Sequence, residues 1–289
     1  MSGSAPAPYL ARLPDTGPLA PARPDPHLVE APVLSNVPLT ADYWRLTLSS
    51  PEIASAAEPG QFVMLTIANP EDPAPVLPRP MAIYGWDRTG GTFDIVYRIV
   101  GDGTRRLAAW RPGRPMVVVG PLGRGFTLPD RRGPALVLGR GIGTCSLTAL
   151  AGEATARGFQ VHAVASARNR GALVGHEAYR AAGAAQIIEA VDEDGSSAPE
   201  RLRERLTALS DEGLAAVYAC GSNRLLALGV DLAAANRAEV QVSLEAHMAC
   251  GLGFCHGCAA GRPGLPRETP LVCADGPVFR YLALGAEGR

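Results

Sequence analysis

The sequence lacks the features that mark membrane proteins and nucleic-acid-binding proteins. No apolar stretch approaches the roughly 20 residues that a membrane-spanning helix needs, so we expect no membrane insertion. Neither sign of charge predominates, since 27 basic residues stand against 28 acidic ones and the formal net charge is −1. A chain without an excess of positive charge offers no electrostatic footprint for nucleic acid or for an anionic membrane.

We also find no secretory signal at the start of the sequence. Residues 1 to about 26 are rich in proline and alanine and contain no apolar segment in front of a cleavage site. We therefore expect a cytoplasmic protein with an extended or disordered tail over residues 1–27. The rest of the 289-residue chain is long enough for two domains and a small third one.

The most informative feature that is present is a group of cysteines near the C-terminus. Three follow the pattern C-x4-C-x2-C and a fourth comes later: Cys250, Cys255, Cys258 and Cys273. This is the plant-type spacing of the thiolate ligands of a [2Fe-2S] cluster. The intervening glycines let a short loop fold closely around inorganic sulfide. The spacing therefore predicts an iron–sulfur cluster and a protein that carries electrons.

Two other uses of these cysteines remain open. A structural zinc site usually takes two C-x2-C pairs, and this region has one. Disulfides are typical of secreted proteins, and we find no secretory signal. His256, inside the cysteine motif, is a further candidate ligand, but with four cysteines present we expect it to face solvent.

Beyond the tail, the hydrophobic pattern changes twice. Residues 28–130 contain short β-rich segments separated by Gly and Pro, which is typical of a barrel or a sandwich. Residues 131–238 alternate predicted strands with Ala-rich helical stretches, which predicts a parallel sheet covered by helices. Residues 239–289 hold the cysteines and are too short for a core of their own, so that a bound cluster would supply the missing cross-links. The predicted fold class is multidomain, β followed by α/β, with a small cluster module.

Two segments of the β-rich region are candidates for binding a flavin. The first places a cation before an apolar strand: Arg79, Pro80, Met81 and Ala82. A guanidinium can pair with a phosphate, and the strand can lie along an isoalloxazine ring. The second begins at Tyr97 and offers small residues just before a predicted helix: Gly101, Gly103 and Thr104. Free backbone N–H groups there attract a pyrophosphate, although an ordinary glycine turn is an equally good interpretation of this segment.

The α/β region opens with a glycine-rich turn between a predicted strand and a predicted helix: Gly139, Gly141, Gly143 and Thr144. Glycine at such a turn lets the phosphates of a dinucleotide approach the start of the helix. The spacing is not G-x-G-x-x-G, so the turn alone does not identify a nucleotide site. Later, Cys220 and Gly221 end a predicted strand at the edge where open α/β sheets bind ligands, with a small buried pair as the alternative.

The order of these segments resembles a known family. The matching segments are residues 59–64, 79–83, 97–107, 120–126, 243–251 and 272–279. Together they resemble the electron-transfer subunit of the heteromeric, NAD-dependent dihydroorotate dehydrogenases, within the ferredoxin reductase-like flavoproteins. The resemblance covers about residue 28 to the C-terminus, and its last two segments are the most specific.

The resemblance implies an FAD-binding β-barrel, a pyridine-nucleotide domain and a [2Fe-2S] module. Electrons would pass from NADH or NADPH to FAD, and through the cluster to a flavin in a separate catalytic subunit of a heteromer. It also implies a role for each matching position. Arg79 would hold an FAD phosphate, Met81 and Ala82 would lie beside the isoalloxazine, Gly103 and Thr104 would receive the pyrophosphate, and Cys220 and Gly221 would border the nicotinamide.

The sequence departs from the family pattern mainly in the nucleotide region. Ala82 stands where such proteins usually have Ser or Thr. Arg140 interrupts the glycines of the nucleotide turn, and Ser222 replaces the proline that usually follows Cys-Gly. Arg168 and Arg170 follow the second strand of the α/β region and are candidates for contacting a 2′-phosphate, which leaves NAD versus NADP open. Two alternatives therefore stay open. In the first, the same FAD and [2Fe-2S] groups transfer electrons to a different oxidoreductase. In the second, the protein is a non-catalytic redox-sensing or binding module that uses no nucleotide.

Overall fold

The computed structural model describes residues 25–68, 77–260 and 270–281. Within this part the chain forms two sheets that follow one another along the sequence. None of the described helices is long and apolar enough to span a membrane. Residues 1–24 of the predicted tail lie outside the described residues. Its last three positions are Asp25 and Pro26, which precede the first strand, and His27, which begins it.

The first sheet has seven strands, and every neighbouring pair is antiparallel. Its strands are β1 (His27–Pro38), β2 (Tyr43–Ser49), β3 (Phe62–Thr66), β4 (Arg79–Ala82), β5 (Gly85–Asp87), β6 (Thr92–Arg98) and β7 (Pro115–Leu122). They lie in the order β4-β3-β7-β1-β2-β6-β5. Two short helices accompany them, α1 (Pro51–Ala56) and α2 (Asp102–Ala108).

The side chains of this sheet alternate between its faces, and a bulge in its longest strand bends it. In β2, Leu46 and Leu48 are buried while Arg45 is exposed, which is the period of two that a half-buried strand requires. Strand β1 pairs with β7 through residues 27–32 and with β2 from Val33 onward, and its register shifts between Val33 and Ser35. Such a bulge bends a strand and increases its twist. The β-rich half of the predicted fold is thereby confirmed as a curled antiparallel sheet.

The second sheet has six strands. They are β8 (Pro134–Arg140), β9 (Gln160–Ala167), β10 (Gln186–Val191), β11 (Ala216–Cys220), β12 (Glu239–Ser243) and β13 (Val278–Tyr281). Their order is β10-β9-β8-β11-β12-β13, and all pairs are parallel except β12 with β13. The helices are α3 (Thr148–Ala156), α4 (His176–Ala181), α5 (Pro199–Asp211) and α6 (Asn223–Ala234).

Burial on both faces explains the sequence pattern of this sheet. All five residues of β11 are buried, and so are the first six of β8, as expected for parallel strands covered by helices on both sides. The strand order reverses between β8 and β11. The crevice at the carboxyl ends of these two strands is therefore a topological switch point. In that register Cys220 lies beside Gly139, and Arg140 lies beside Ser166. The predicted α/β half of the fold is confirmed.

The sheet continues past the predicted boundary at residue 238. Strands β12 and β13 both fall in the range 239–289 that the sequence assigned to the cluster module, and they form one edge of the parallel sheet. The segment before β13 also contacts the first sheet, because the N–H of Arg124 donates to the carbonyl of Gly276 over 2.6 Å. The N–H of Leu244 donates to the carbonyl of Pro277 over 2.9 Å. The end of the described chain therefore joins both sheets.

Substitution of Gly123 tests this junction. Its φ is +76°, and an added Cβ would lie 2.5 Å from Pro277 Cδ and 2.8 Å from the carbonyl oxygen of Gly276. We expect Gly123→Ala to lower the free energy of unfolding by about 2–5 kcal/mol, because left-handed backbone strain of about 1–2 kcal/mol adds to overpacking of about 1–3 kcal/mol. Chemical denaturation of the cofactor-loaded protein measures this loss.

Gly113→Ala is the matched control. Gly113 has a φ of +82°, but nothing lies within 4 Å of an added Cβ. Only the backbone strain of about 1–2 kcal/mol applies there. Equal losses for the two variants would contradict the tight junction at Gly123.

Candidate functional site

A cavity of about 680 Å³ lies between the two sheets. All eight residues that the sequence assigned to a flavin line it: Arg79, Pro80, Met81, Ala82, Tyr97, Gly101, Gly103 and Thr104. They come from β4, from the end of β6 and from the first turn of α2. The opposite wall comes from the second sheet and includes Cys145, Ser146 and Glu245. The volume lies within the range of about 300–1,000 Å³ that is usual for small-molecule sites.

Arg79 is held against a glycine at one end of this cavity. Its Nε and Nη2 atoms lie 2.7 and 2.8 Å from the point that a Cβ on Gly103 would occupy. Any other residue at position 103 would therefore displace the guanidinium. Arg79 also donates to the carbonyl of Leu77 over 2.7 Å, which leaves further N–H donors of its planar group for a ligand. A phosphate of FAD fits this donor set.

Two of the predicted flavin residues use their hydroxyl groups within the protein. Thr104 Oγ1 accepts hydrogen bonds from the N–H groups of Val100 and Gly101, over 2.9 and 3.2 Å. The Tyr97 hydroxyl donates to Asn36 Oδ1 over 2.9 Å, and burial raises the pKa of Tyr97. The Thr104 hydroxyl therefore shapes the loop before α2. The expected binding of a pyrophosphate by the backbone N–H groups of this segment stays a prediction.

Cys220 and Gly221 line a second cavity of about 370 Å³ beside the first. Cys220 is buried, and the hydroxyls of Ser146 and Ser243 bond to its sulfur. Burial, followed by the nearby Glu245, raises the pKa of the Cys220 thiol to about 12. A thiol of that pKa is not a thiolate near neutral pH, so Cys220 can pack against a ligand but is no nucleophile.

Glu245 is a candidate site residue that the sequence analysis did not single out. It follows strand β12 and lines both cavities, together with Ser243, Leu244 and Ala246. Its side chain is exposed where it faces the cavities, and partial desolvation by the neighbouring protein raises the pKa of its carboxyl. The available signal was an acidic residue two positions after a buried strand and shortly before the cysteine motif.

The glycines of the nucleotide turn serve close packing. A Cβ added to Gly139 would lie 2.7 Å from Thr144 Oγ1, and a Cβ added to Gly143 would lie 2.7 Å from the carbonyl carbon of Cys220. The turn therefore lies directly on the end of β11. None of Gly139, Gly141, Gly143 and Thr144 lines either of the two cavities.

The glycine turn lies between a strand and a helix, as the sequence predicts, and the helix begins a few residues after the last glycine. Residues Gly141–Leu147 form a 3₁₀ turn, and α3 begins only at Thr148. Gly141 has a φ of +54°, which lets the chain turn down onto the end of β11 before it becomes helical. Thr144 is buried by this packing, and its Oγ1 has no hydrogen-bond partner among the described residues.

The four cysteines of the C-terminal motif lie in two pairs. The sulfurs of Cys258 and Cys273 are 3.2 Å apart, and the side chain of Cys255 bonds to the sulfur of Cys250. Among the described residues, no three Cys, His, Asp or Glu side chains are arranged to hold a single metal ion. Two thiolate pairs suit a cluster of two irons, since each iron then takes two protein ligands.

Backbone N–H groups point at these sulfurs. Although partial burial raises the pKa of Cys250, the N–H groups of Leu252, Cys255 and Phe254 lower it to about 6. Burial and the neighbouring sulfur of Cys258 raise the pKa of Cys273 to about 12, against the N–H of Gly253. Donors directed at sulfur stabilise the anionic ligands of a bound cluster and tune its potential. The residues present therefore fit a [2Fe-2S] cluster.

The cysteine loop adjoins the larger cavity. Met248 lines that cavity, and Cys250 follows two residues later, so their Cα atoms are at most about 7 Å apart. Gly251 lies against β3, because an added Cβ would be 2.5 Å from Met64 Cγ. On the outer side, Cys255 and His256 are exposed, and Phe254 is 83% exposed. The loop thus lies between the cavity and the protein surface, and His256 faces solvent.

Comparisons with known proteins agree with this geometry. Residues 245–285 match the family described as "Iron-sulfur cluster binding domain of dihydroorotate dehydrogenase B". The chain is 36% identical over 241 residues to the "Dihydroorotate dehydrogenase B (NAD(+)), electron transfer subunit" of Geobacillus kaustophilus, covering 82% of this chain and 90% of that protein. It is 31% identical over 253 residues to the protein of the same name from Listeria monocytogenes serotype 4b, covering 87% and 96%.

Solved structures share the fold. One, described under "Insights into flavin-based electron bifurcation via the NADH-dependent reduced ferredoxin-NADP oxidoreductase structure", has a TM-score of 0.72 and 23% identity, covering 87% of this chain and 88% of its own. Another, "Ferredoxin reductase in carbazole 1,9a-dioxygenase", has a TM-score of 0.60 and 21% identity, covering 75% and 68%. At these identities the similarity establishes the ferredoxin reductase-like fold.

Arg79 provides a test of the larger cavity. Replacing Arg79 by Ala removes a charged donor from the end where Gly103 makes room for it. We expect the Kd for FAD to rise about 10- to 150-fold, because a hydrogen bond to a charged group contributes about 1.5–3 kcal/mol. Fluorescence titration of deflavinated protein measures the constant. Arg88→Ala is the control, since Arg88 packs over Trp86 outside this cavity, and an equal loss there would argue against the assignment.

The raised pKa of Glu245 predicts a pH dependence of stability. A carboxyl whose pKa is higher in the folded state than in the unfolded chain keeps its proton longer when folded, so stability falls as pH rises above its unfolded pKa of about 4.3. An amide at this position carries no charge, and we expect Glu245→Gln to match the wild type at pH 4 and to have a higher Tm at pH 8. Glu30→Gln, at an exposed position on β1, controls for the loss of one charge. A Tm difference independent of pH would contradict the desolvation of Glu245.

Proposed function

The chain belongs to the family of dihydroorotate dehydrogenase B electron transfer subunits, and on that basis we propose that it carries electrons between a pyridine nucleotide and a separate catalytic subunit through FAD and a [2Fe-2S] cluster. The catalytic partner is a flavoprotein that oxidises dihydroorotate in pyrimidine biosynthesis. A cytoplasmic location belongs to the same proposal, because thiolate ligands need the reducing conditions of that compartment.

One observation carries this proposal. The residues with flavin-binding character line a single cavity, and the far wall of that cavity runs through Met248 directly into the cysteine loop. A flavin in the cavity and a cluster on the loop would therefore be neighbours along a few residues of chain. The outer side of the loop, with Cys255 and Phe254, is open to a partner protein.

Within this proposal each residue has a role that its position supports. Arg79, backed by Gly103, binds an FAD phosphate, and Met81 and Ala82 form the wall beside the isoalloxazine. FAD, when bound, supplies the conversion between the two-electron chemistry of nicotinamide and the one-electron chemistry of the cluster. Cys250, Cys255, Cys258 and Cys273 would hold the cluster through their thiolates.

The nicotinamide end of the nucleotide belongs at the second cavity. Cys220 and Gly221 end strand β11 there, at the switch point of the sheet. Gly221 has a φ of +84°, and an added Cβ would collide with the carbonyl oxygen of Arg140, so this close turn needs glycine. The buried Cys220 contributes an apolar surface, and Glu245 lies within the shared wall, where it can accept a hydrogen bond from a carboxamide.

The direct test begins with anaerobic purification of the full chain. Its visible spectrum, with iron, sulfide and flavin analysis, reports both groups, and addition of NADH and then NADPH reports the donor. Mixing with a dihydroorotate-oxidising flavoprotein subunit should then couple dihydroorotate oxidation to NAD reduction. Absence of flavin or of iron and sulfide from the purified chain would refute the proposal.

Replacing Cys255 by Ser separates the two groups. Cys255 lies in the exposed part of the cysteine loop and outside the flavin cavity. We expect Cys255→Ser to retain FAD, which the nucleotide still bleaches, and to lose at least about 90% of electron transfer to the partner, because an iron loses a thiolate ligand. Stopped-flow spectroscopy follows the flavin and a partner-reduction assay follows the transfer.

His256→Asn is the control for this substitution. His256 is exposed beside Cys255 and has a φ of +56°, a conformation that Asn tolerates. This variant should keep the cluster spectrum and the transfer rate. Loss of FAD from Cys255→Ser, or loss of the cluster from His256→Asn, would contradict the assigned ligands.

A further inference from the structure

A set of ion pairs covers the carboxyl edge of the parallel sheet. Arg140, the last residue of β8, extends sideways along this edge to Asp192, which directly follows β10. Arg140 Nη2 lies 2.6 Å from Asp192 Oδ2, and Nη1 lies 3.2 Å from Asp192 Oδ1. Nη1 also donates to Ser166 Oγ, at the end of β9, over 3.0 Å. The guanidinium thus binds the carboxylate with two parallel hydrogen bonds.

Asp192 lies between two cations. Besides Arg140, it faces Arg224 Nη2 at 3.5 Å, and the Ser197 hydroxyl also donates to it. Hydrogen bonds from Arg140 and then Ser197 lower the pKa of Asp192, so it is a carboxylate at neutral pH. Two guanidinium groups and a serine hydroxyl therefore surround one anion.

The position of this anion matters because of the strands beneath it. Arg140, Ser166 and Asp192 end or follow three adjacent strands, and Arg224 is the second residue of α6, just after β11. This is the edge at which open parallel sheets bind ligands, beside the switch point between β8 and β11. The carbonyl of Arg140 also contacts Gly221, at the nicotinamide end proposed above.

Carboxylate and phosphate are interchangeable partners for an arginine fork. The planar guanidinium presents parallel donors that match either group, with similar hydrogen-bond lengths. Asp192 can also leave, because 41% of its side chain is exposed in the turn after β10. Arg140 is less mobile, since 22% of its side chain is exposed and Ser166 and the carbonyl of Ala167 hold it.

We propose that Arg140 and Arg224 form an anion site for the pyrophosphate of a pyridine nucleotide, and that Asp192 occupies this site as an internal substitute until the nucleotide displaces it. The proposal rests on the proposed function and deepens it. Arg140, which breaks the family's glycine pattern, becomes a binding residue, and Asp192 sets how tightly the nucleotide binds.

Two other arginines near this edge already have partners away from it. Arg168 Nη2 lies 3.0 Å from Asp42, in the turn before β2, and Arg170 Nη2 lies 3.1 Å from Asp194. Their side chains are more than half exposed. Arg140 and Arg224 instead converge on one point, and this convergence favours the pyrophosphate, which NADH and NADPH share, over a 2′-phosphate.

Calorimetry on the cofactor-loaded protein tests the site without turnover. The probes are ADP-ribose, which carries the pyrophosphate, and 2′,5′-ADP, which carries a 2′-phosphate. We expect Asp192→Asn to bind ADP-ribose about five- to twentyfold more tightly than the wild type, because a like charge beside the pyrophosphate is gone while the side-chain shape is kept. Arg140→Ala should bind it at least about tenfold more weakly, with Arg140→Lys in between because it keeps the charge but loses the fork.

Asp194→Asn is the matched control. It removes a carboxylate two residues away that pairs with Arg170 outside the site, and should change the Kd for ADP-ribose less than about twofold, the change expected when an exposed ion pair is lost. Tighter binding by Arg140→Ala would overturn the proposal and make the guanidinium an obstruction. No gain in Asp192→Asn, a gain confined to 2′,5′-ADP, or an equal gain in Asp194→Asn would also overturn it.

The calorimetry tests the anion site separately from the spectroscopic test of the proposed function. Bleaching of the wild-type flavin by NADH, with unchanged Kd values in all variants, would leave the electron-transfer proposal standing and remove the anion site. The expected Kd changes, with no bleaching by either nucleotide, would support the site and remove the nucleotide as electron donor.

Discussion

The two sheets meet at the junction between the end of β7 and the segment before β13, and this junction positions the cavity and the cysteine loop. A backbone hydrogen bond from Arg124 to Gly276 and another from Leu244 to Pro277 connect the same short segment to both sheets. Gly123 is needed because Pro277 and the carbonyl of Gly276 fill the space of a side chain. Pro277 also lines the larger cavity. These close backbone contacts therefore hold the two sheets together beside the cavity.

A single stretch of chain links the sheet, the cavity and the cysteine loop. Strand β12 ends at Ser243, the next residues line the cavity, and Cys250 opens the cysteine loop. Because this stretch is short, a flavin and a cluster bound to it would exchange electrons across a few residues. Apolar packing supports it from behind, where Cys258, Cys273 and Val272 share a core with Phe62 and Met64 of the first sheet.

The sequence predicted the local features better than the contacts between distant segments. The cysteine spacing and the flavin candidates around Arg79 depend on residues close in the chain or on strand patterns. In the structure these flavin candidates line one cavity, and Cys258 lies beside Cys273. The glycines at 139–143 were ambiguous, because glycine permits both phosphate approach and close backbone packing. Only the fold showed that Cys220 lies against Gly143, and that the loop forms a 3₁₀ turn. Glu245 was not singled out because its significance depends on two cavities that share its wall.

Periodicity and short-range spacing are properties of the chain before it folds, so the two fold classes and the spacing of the cysteines could be predicted from the sequence alone. The tertiary structure decided where these parts meet. It placed β12 and β13 in the parallel sheet beyond the expected boundary, and it directed Arg140 to Asp192 across 52 positions of sequence. Such pairings depend on strand order and on which strand ends lie side by side. No local pattern encodes them, because the sequence around a carboxylate or a guanidinium does not specify which distant residue it will contact.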